Sequence, residues 1–143
     1  MIDQRTAPYA ALVLRLALGA LLLAHGFVKL FVFTVPGTVG FFESIGYPAI
    51  FAYLVMLAEV GGGLALILGF MARWVALLQI PLMLGVVHFH FASGFMFSNP
   101  NGGWEYPALW TAGLAVLTLL GNGAYAVDAA ALRNFRVRLL TPA

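Results

Sequence analysis

Four apolar runs, over residues 8–31, 48–70, 74–91 and 107–126, leave this chain few ways to fold. A bilayer's hydrocarbon core is about 30 Å thick and takes roughly 20 apolar residues as a helix. Each run approaches that length, the fourth least securely, since its solid apolar part ends at Leu120. None alternates with the period of two that a membrane barrel strand needs, so helices are expected. Residues are 63% hydrophobic and 8% charged, whereas an average soluble domain is roughly 25% charged. At 143 residues too much of the chain lies at the boundary to hide that apolar surface from water. Low charge and high hydrophobicity also exclude intrinsic disorder. The first run is too long for a signal-peptide core and lacks a cleavage pattern, so it reads as a retained helix. The expected fold class is all-α. It is a polytopic membrane protein with one domain over residues 1–143, an antiparallel bundle of four transmembrane helices.

Charge orients the bundle. Arg5, Arg73, Arg133, Arg136 and Arg138 fall on one side of such a bundle, and Lys29, Glu43 and Glu105 on the other. Arg and Lys favour the cytoplasmic face, so both termini are expected in the cytoplasm of a cell with an inner membrane. The tail after Asp128 reads as a short surface helix whose arginines face anionic lipid. The link at residues 71–73 is short, and residues 33–47 and 92–106 read as longer loops on the opposite face. A net charge of +2 gives no footprint for nucleic acid. Without cysteine there is no disulfide, thiolate metal site or cysteine nucleophile. Tyr47-Pro48 and Tyr106-Pro107 open the second and fourth runs alike. That likeness reads equally as an old duplication or as shared chemistry of helix starts at an interface.

Polar residues within the apolar runs are costly. An ionisable side chain at the bilayer centre costs about 2.5–3.5 kcal/mol on insertion scales, and such residues tend to mark function. The candidates are Arg15, His25, Lys29, Glu59, His88 and His90. Arg15, Leu22 and Lys29, spaced by seven, share one helix face. Lys29 lies near the boundary, where it either joins that stripe or snorkels to water. Glu59 precedes Gly61-Gly62-Gly63, which lets another group approach closely. Counting residues from the helix ends at 1.5 Å each puts Arg15 and Glu59 roughly 7 Å apart in depth. A buried Arg15–Glu59 pair is therefore expected, with a structural or a catalytic role. Gly61, Ala65 and Gly69 form a small-residue ridge suited to helix packing. Pro81 is expected to kink the third helix, with His88 two turns further on facing inward and His90 at the interface. His25 and His88 fall at one depth. As haem or copper ligands they lack a supporting set, so no metal is assigned. Residues 99–106 combine a turn signal with Trp104 and Tyr106, which suits an aromatic belt. The same segment suits a lid over a cavity containing His25, His88 and the Glu59 region.

Several segments, in this order and spacing, resemble the DoxX-like family of small four-helix membrane proteins. They are Arg15-Leu-Ala-Leu-Gly19, His25-Gly-Phe-Val-Lys-Leu30, Ser44-Ile-Gly-Tyr-Pro48, Ala58-Glu-Val-Gly-Gly-Gly63, Asn101-Gly-Gly-Trp-Glu-Tyr-Pro107 and Gly121-Asn-Gly-Ala-Tyr-Ala-Val-Asp128. The resemblance implies a link to membrane oxidoreductases, since the family is named for a subunit of a thiosulfate:quinone oxidoreductase. On that basis a quinone head group would sit among His25, Glu59, His88 and Trp104. Glu59 and His88 would exchange protons with it, Arg15 would hold Glu59 ionised, and Lys29, Asn101 and Glu105 would complete the binding set. The chain carries no cysteine cluster, nucleotide fingerprint or convincing haem pair, so electrons would come through a partner protein. Two other readings are a non-catalytic accessory or scaffold subunit of a membrane complex, and a small-molecule or proton carrier.

Overall fold

The computed structural model describes residues 3–127. The expected surface helix with Arg133, Arg136 and Arg138 lies outside the described residues. Among the described residues the chain is helical, with no strand. Helix α1 (Ala7–Phe27) opens with Pro8 in its first turn and ends in a π turn, Val28–Val32. Next come α2 (Val35–Ser44), α3 (Ala49–Leu68), α4 (Ala72–His90), a 3-10 turn (Phe91–Ser93) and α5 (Glu105–Leu120). Three stretches, Ala7–Val32, Ala49–Leu68 and Ala72–Ser93, are long and apolar enough to cross a membrane. Helix α5 is apolar but shorter, at 16 residues.

Two elements differ from expectation. The fourth run stops being helical at Leu120, because Gly121 takes φ 86° and turns the chain. The segment after it folds back over two helix ends, with Ala124 N donating to Pro8 O and Val127 N to Leu68 O. Most of the expected loop at 33–47 is helix α2. Thr34 caps it, its Oγ1 accepting from Gly37 N at 3.3 Å, and Pro36 fits the first turn.

Helices α1, α3, α4 and α5 form a ring of antiparallel neighbours, with α1 on α3 and α4 on α5 as the most extensive contacts. The inward stripe of α3 is Ala52, Met56, Glu59, Gly63 and Leu66, and that of α1 includes Ala11, Arg15, Leu18, Gly19, Leu22 and Gly26. Both follow helical periodicity. Close approach of α1 and α3 depends on glycine, since a Cβ on Gly19 would lie 2.9 Å from Gly63 O. The expected ridge of Gly61, Ala65 and Gly69 is not this interface. Gly61 has no neighbour within 4 Å, and Gly69 ends α3 at φ 73°. A stripe through Glu59 and Gly63 faces inward, and Gly61, two residues from each, is carried to the outer surface. Leu22, Leu66, Met83, Leu114 and Leu117 fill the centre. Large apolar side chains such as Leu57, Leu78, Leu109 and Leu119 stay exposed, as a lipid-facing surface requires.

Candidate functional site

The site begins where α1 gives way to the π turn. Phe33 N donates to Val28 O in an i→i+5 bond, and Lys29 is carried inward. Its Nζ donates to Glu59 Oε1 at 2.7 Å. Glu59 is 3% exposed, whereas the Lys29 side chain keeps 20% of its surface open. Of the two readings for Lys29, the inward one holds. Neither charge is tolerable alone at such burial, and the pair removes most of that cost. Glu59 Oε2 has no partner.

Arg15 does not pair with Glu59. Its Nη1 donates to Leu66 O at 2.9 Å and to Ile67 O, and its Nη2 donates to Ala124 O at 2.9 Å. The last carbonyls of α3 have no partner within their own helix, and the fork of the guanidinium supplies one. Arg15 lies opposite those carbonyls, about two turns along α3 from Glu59, so the depth estimate paired it with the wrong acceptor. Its role is to clamp three chain segments at the end of the bundle away from Lys29. A second polar tie, Gln79 Nε2 to Ala58 O, joins α4 to α3 across Gly62, where any side chain would strike the amide.

A cavity of about 340 Å³ lies between α2, α3 and α4, with Lys29 and Glu59 in its wall. That is within the size range of small-molecule sites. The rest of the wall is apolar, with Phe41 and Phe42 from α2, Phe51 and Val55 from α3, and Tyr47 between them. Helix α4 contributes Pro81, Gly85 and Phe89. Pro81 sits within a continuous α4 and leaves one carbonyl without its usual donor. A Cβ on Gly85 would meet nothing within 4 Å, so the open space there belongs to the cavity. Phe41 meets Phe89 edge to face at 5.8 Å, linking α2 to α4.

The remaining sequence candidates lie outside the cavity wall. His25 is exposed, with Nδ1 2.9 Å from Leu21 O and its ring edge-on to Trp110 at 5.1 Å. His88 is exposed, whereas His90 is half-buried, with Nδ1 3.0 Å from Asn101 O. The expected roles of these two histidines are thus exchanged. The outer segment folds back on the end of α4, and a ring two residues from His88 meets it instead. Trp104 stacks on Phe91 and meets Phe95 edge to face, and Glu105 Oε1 accepts from Phe97 N at 3.1 Å. Asn101, at φ 67°, makes the turn. Residues 99–106 therefore brace one another, and α2 rather than this segment covers the cavity. Phe41, Phe42, Phe51 and Gly85 escaped the sequence reading. The Thr34-Val-Pro36 start signal and the Phe-Phe pair were the available clues.

The DoxX family model matches residues 10–93, which hold the Lys29–Glu59 pair and the whole cavity. The inner membrane protein YqjF of Escherichia coli (strain K12) is 32% identical over 117 residues, covering 82% of this chain and 88% of that protein. No solved structure matches the chain significantly. With its apolar helices and this match over most of its described length, the chain belongs to the DoxX family, as a multi-pass membrane protein.

Proposed function

We propose that this protein binds a quinone head group in the cavity between α2, α3 and α4, as a subunit of a membrane oxidoreductase system. The observation that carries the reading is an ion pair buried in the wall of an otherwise aromatic and apolar cavity. Lys29 Nζ has donors to spare for a quinone oxygen. Glu59 Oε2, buried and unpartnered, is an acceptor for the proton of a reduced ring. The aromatic side chains suit a flat ring. Glu59 is the proton-exchanging residue in this reading and Lys29 the orienting one. Arg15 acts on the fold, and His25, His88, Asn101, Trp104 and Glu105 shape the surroundings. Electrons come from a partner protein.

The topology that accompanies this reading has α5 as a fourth span and both termini in the cytoplasm of an inner membrane. At 16 residues α5 is roughly 24 Å long, so local bilayer thinning completes the crossing. Gently purified protein should carry a quinone at near one per chain, seen by solvent extraction and an ultraviolet redox difference spectrum. Protein that carries no quinone, and takes up none from decylubiquinone-loaded bilayers, would refute the reading.

A further inference from the structure

The geometry points to Thr38 as a positioning residue that couples the cover helix α2 to the Lys29–Glu59 pair. Thr38 is the buried residue of α2, at 3% exposure. Its Oγ1 donates to the backbone oxygen of Lys29 at 3.0 Å. At the end of α1 that carbonyl belongs to the last turn, whose acceptors have no helical partner of their own. The hydroxyl therefore holds in place the residue whose side chain reaches Glu59. A π turn inserts one extra residue into a helix and so rotates the residues beyond it. A turn of that kind keeps its register only while its groups are satisfied. Lys29 is thus held at both ends, by Thr38 at its carbonyl and by Glu59 at its ammonium. Phe41 and Phe42, one turn beyond Thr38 on the same short helix, form part of the cavity wall. Any displacement of α2 by a bound ring is passed through Thr38 to Lys29, and the converse holds.

The ligand half of this inference rests on the quinone reading, but the Thr38–Lys29 link can be tested without a ligand. Lys29 is the single lysine of the chain, so reductive methylation with mass spectrometry as the readout reports on it and on the N-terminal amine alone. In full-length protein in lipid nanodiscs, Thr38→Val should speed methylation of Lys29 about fivefold, the change expected for loss of one hydrogen bond. Thr38→Ser, which keeps the hydroxyl, should match the wild type. The N-terminal amine provides the internal reference. Where Thr38→Val does not fold, Thr38→Ala gives the same comparison. Decylubiquinone affinity should fall by a similar factor in the Val or Ala variant and recover in Ser. Unchanged Lys29 reactivity in a folded variant without the hydroxyl would overturn the coupling. Absence of quinone binding by wild-type protein would overturn the proposed function and leave the methylation result standing.

Discussion

Lys29 Nζ sits 2.7 Å from Glu59 Oε1, joining the π turn that ends α1 to the middle of α3 inside an apolar bundle. Removing one partner leaves the other charge buried and uncompensated. Lys29→Met should therefore destabilise the protein by about 3–5 kcal/mol, whereas Lys29→Met/Glu59→Gln, which removes both charges, should lose less than the sum of the single changes. Unfolding in a mixed-detergent titration measures this, and strict additivity would separate the two residues energetically.

Arg15 acts elsewhere. Its carbonyl partners at Leu66, Ile67 and Ala124 lose their donor in Arg15→Met. A cost of about 3 kcal/mol is expected, since hydrogen bonds to charged groups contribute roughly 1.5–3 kcal/mol each and some are replaced by water. Because Arg15 shares no partner with Glu59, Arg15→Met and Glu59→Gln should combine additively. Quinone affinity of folded Arg15→Met should stay within about twofold of wild type, read by titration of decylubiquinone into nanodiscs.

Gly85 offers a way to close the cavity without breaking the fold. A side chain there meets open space, and leucine is a better helix former than glycine by roughly 0.5–1 kcal/mol. Gly85→Leu should unfold no more easily than the wild type yet bind decylubiquinone at least about tenfold more weakly, having filled the space a ring would occupy. Equal affinity in the two proteins would place the ligand outside this cavity.

The glycines of α3 should divide by geometry. Gly63→Ala drives a methyl to 2.9 Å from Gly19 O, so a loss of about 1–3 kcal/mol is expected. Gly61→Ala meets no atom within 4 Å and should be neutral or slightly stabilising. Thermal melts of the two variants in one detergent make the comparison.

The long helices could be read from the apolar runs because twenty lipid-soluble residues in a row have few alternatives. The expected limits for α1, α3 and α4 lie within a few residues of those observed, apart from the π turn. That turn could not be foreseen. One inserted residue rotates Lys29 by roughly 100° about the axis, and its register is held by Thr38, nine residues later. Helix α2 was hidden by its brevity and by Gly37 and Gly40, so the apolar signal there looked like a loop. The Arg15–Glu59 pairing failed for a different reason. Counting depth along helices weighs side-chain charges and overlooks helix-end carbonyls, which are strong acceptors in a bilayer. Glu59 stood out from its cost alone, while the cavity wall is made of phenylalanines that look like any other lipid-facing residue until three helices bring them together.

The most direct test is photo-crosslinking. An azidoquinone irradiated with the full-length protein in native-like bilayers, with peptide mapping of the adducts, locates the ring itself. The account predicts labels on the cavity wall, at Phe41, Phe42, Tyr47, Phe51 and residues 81–89, suppressed by excess decylubiquinone and by Gly85→Leu. Competable labelling confined to the Trp104 segment, or no competable labelling at all, would contradict it.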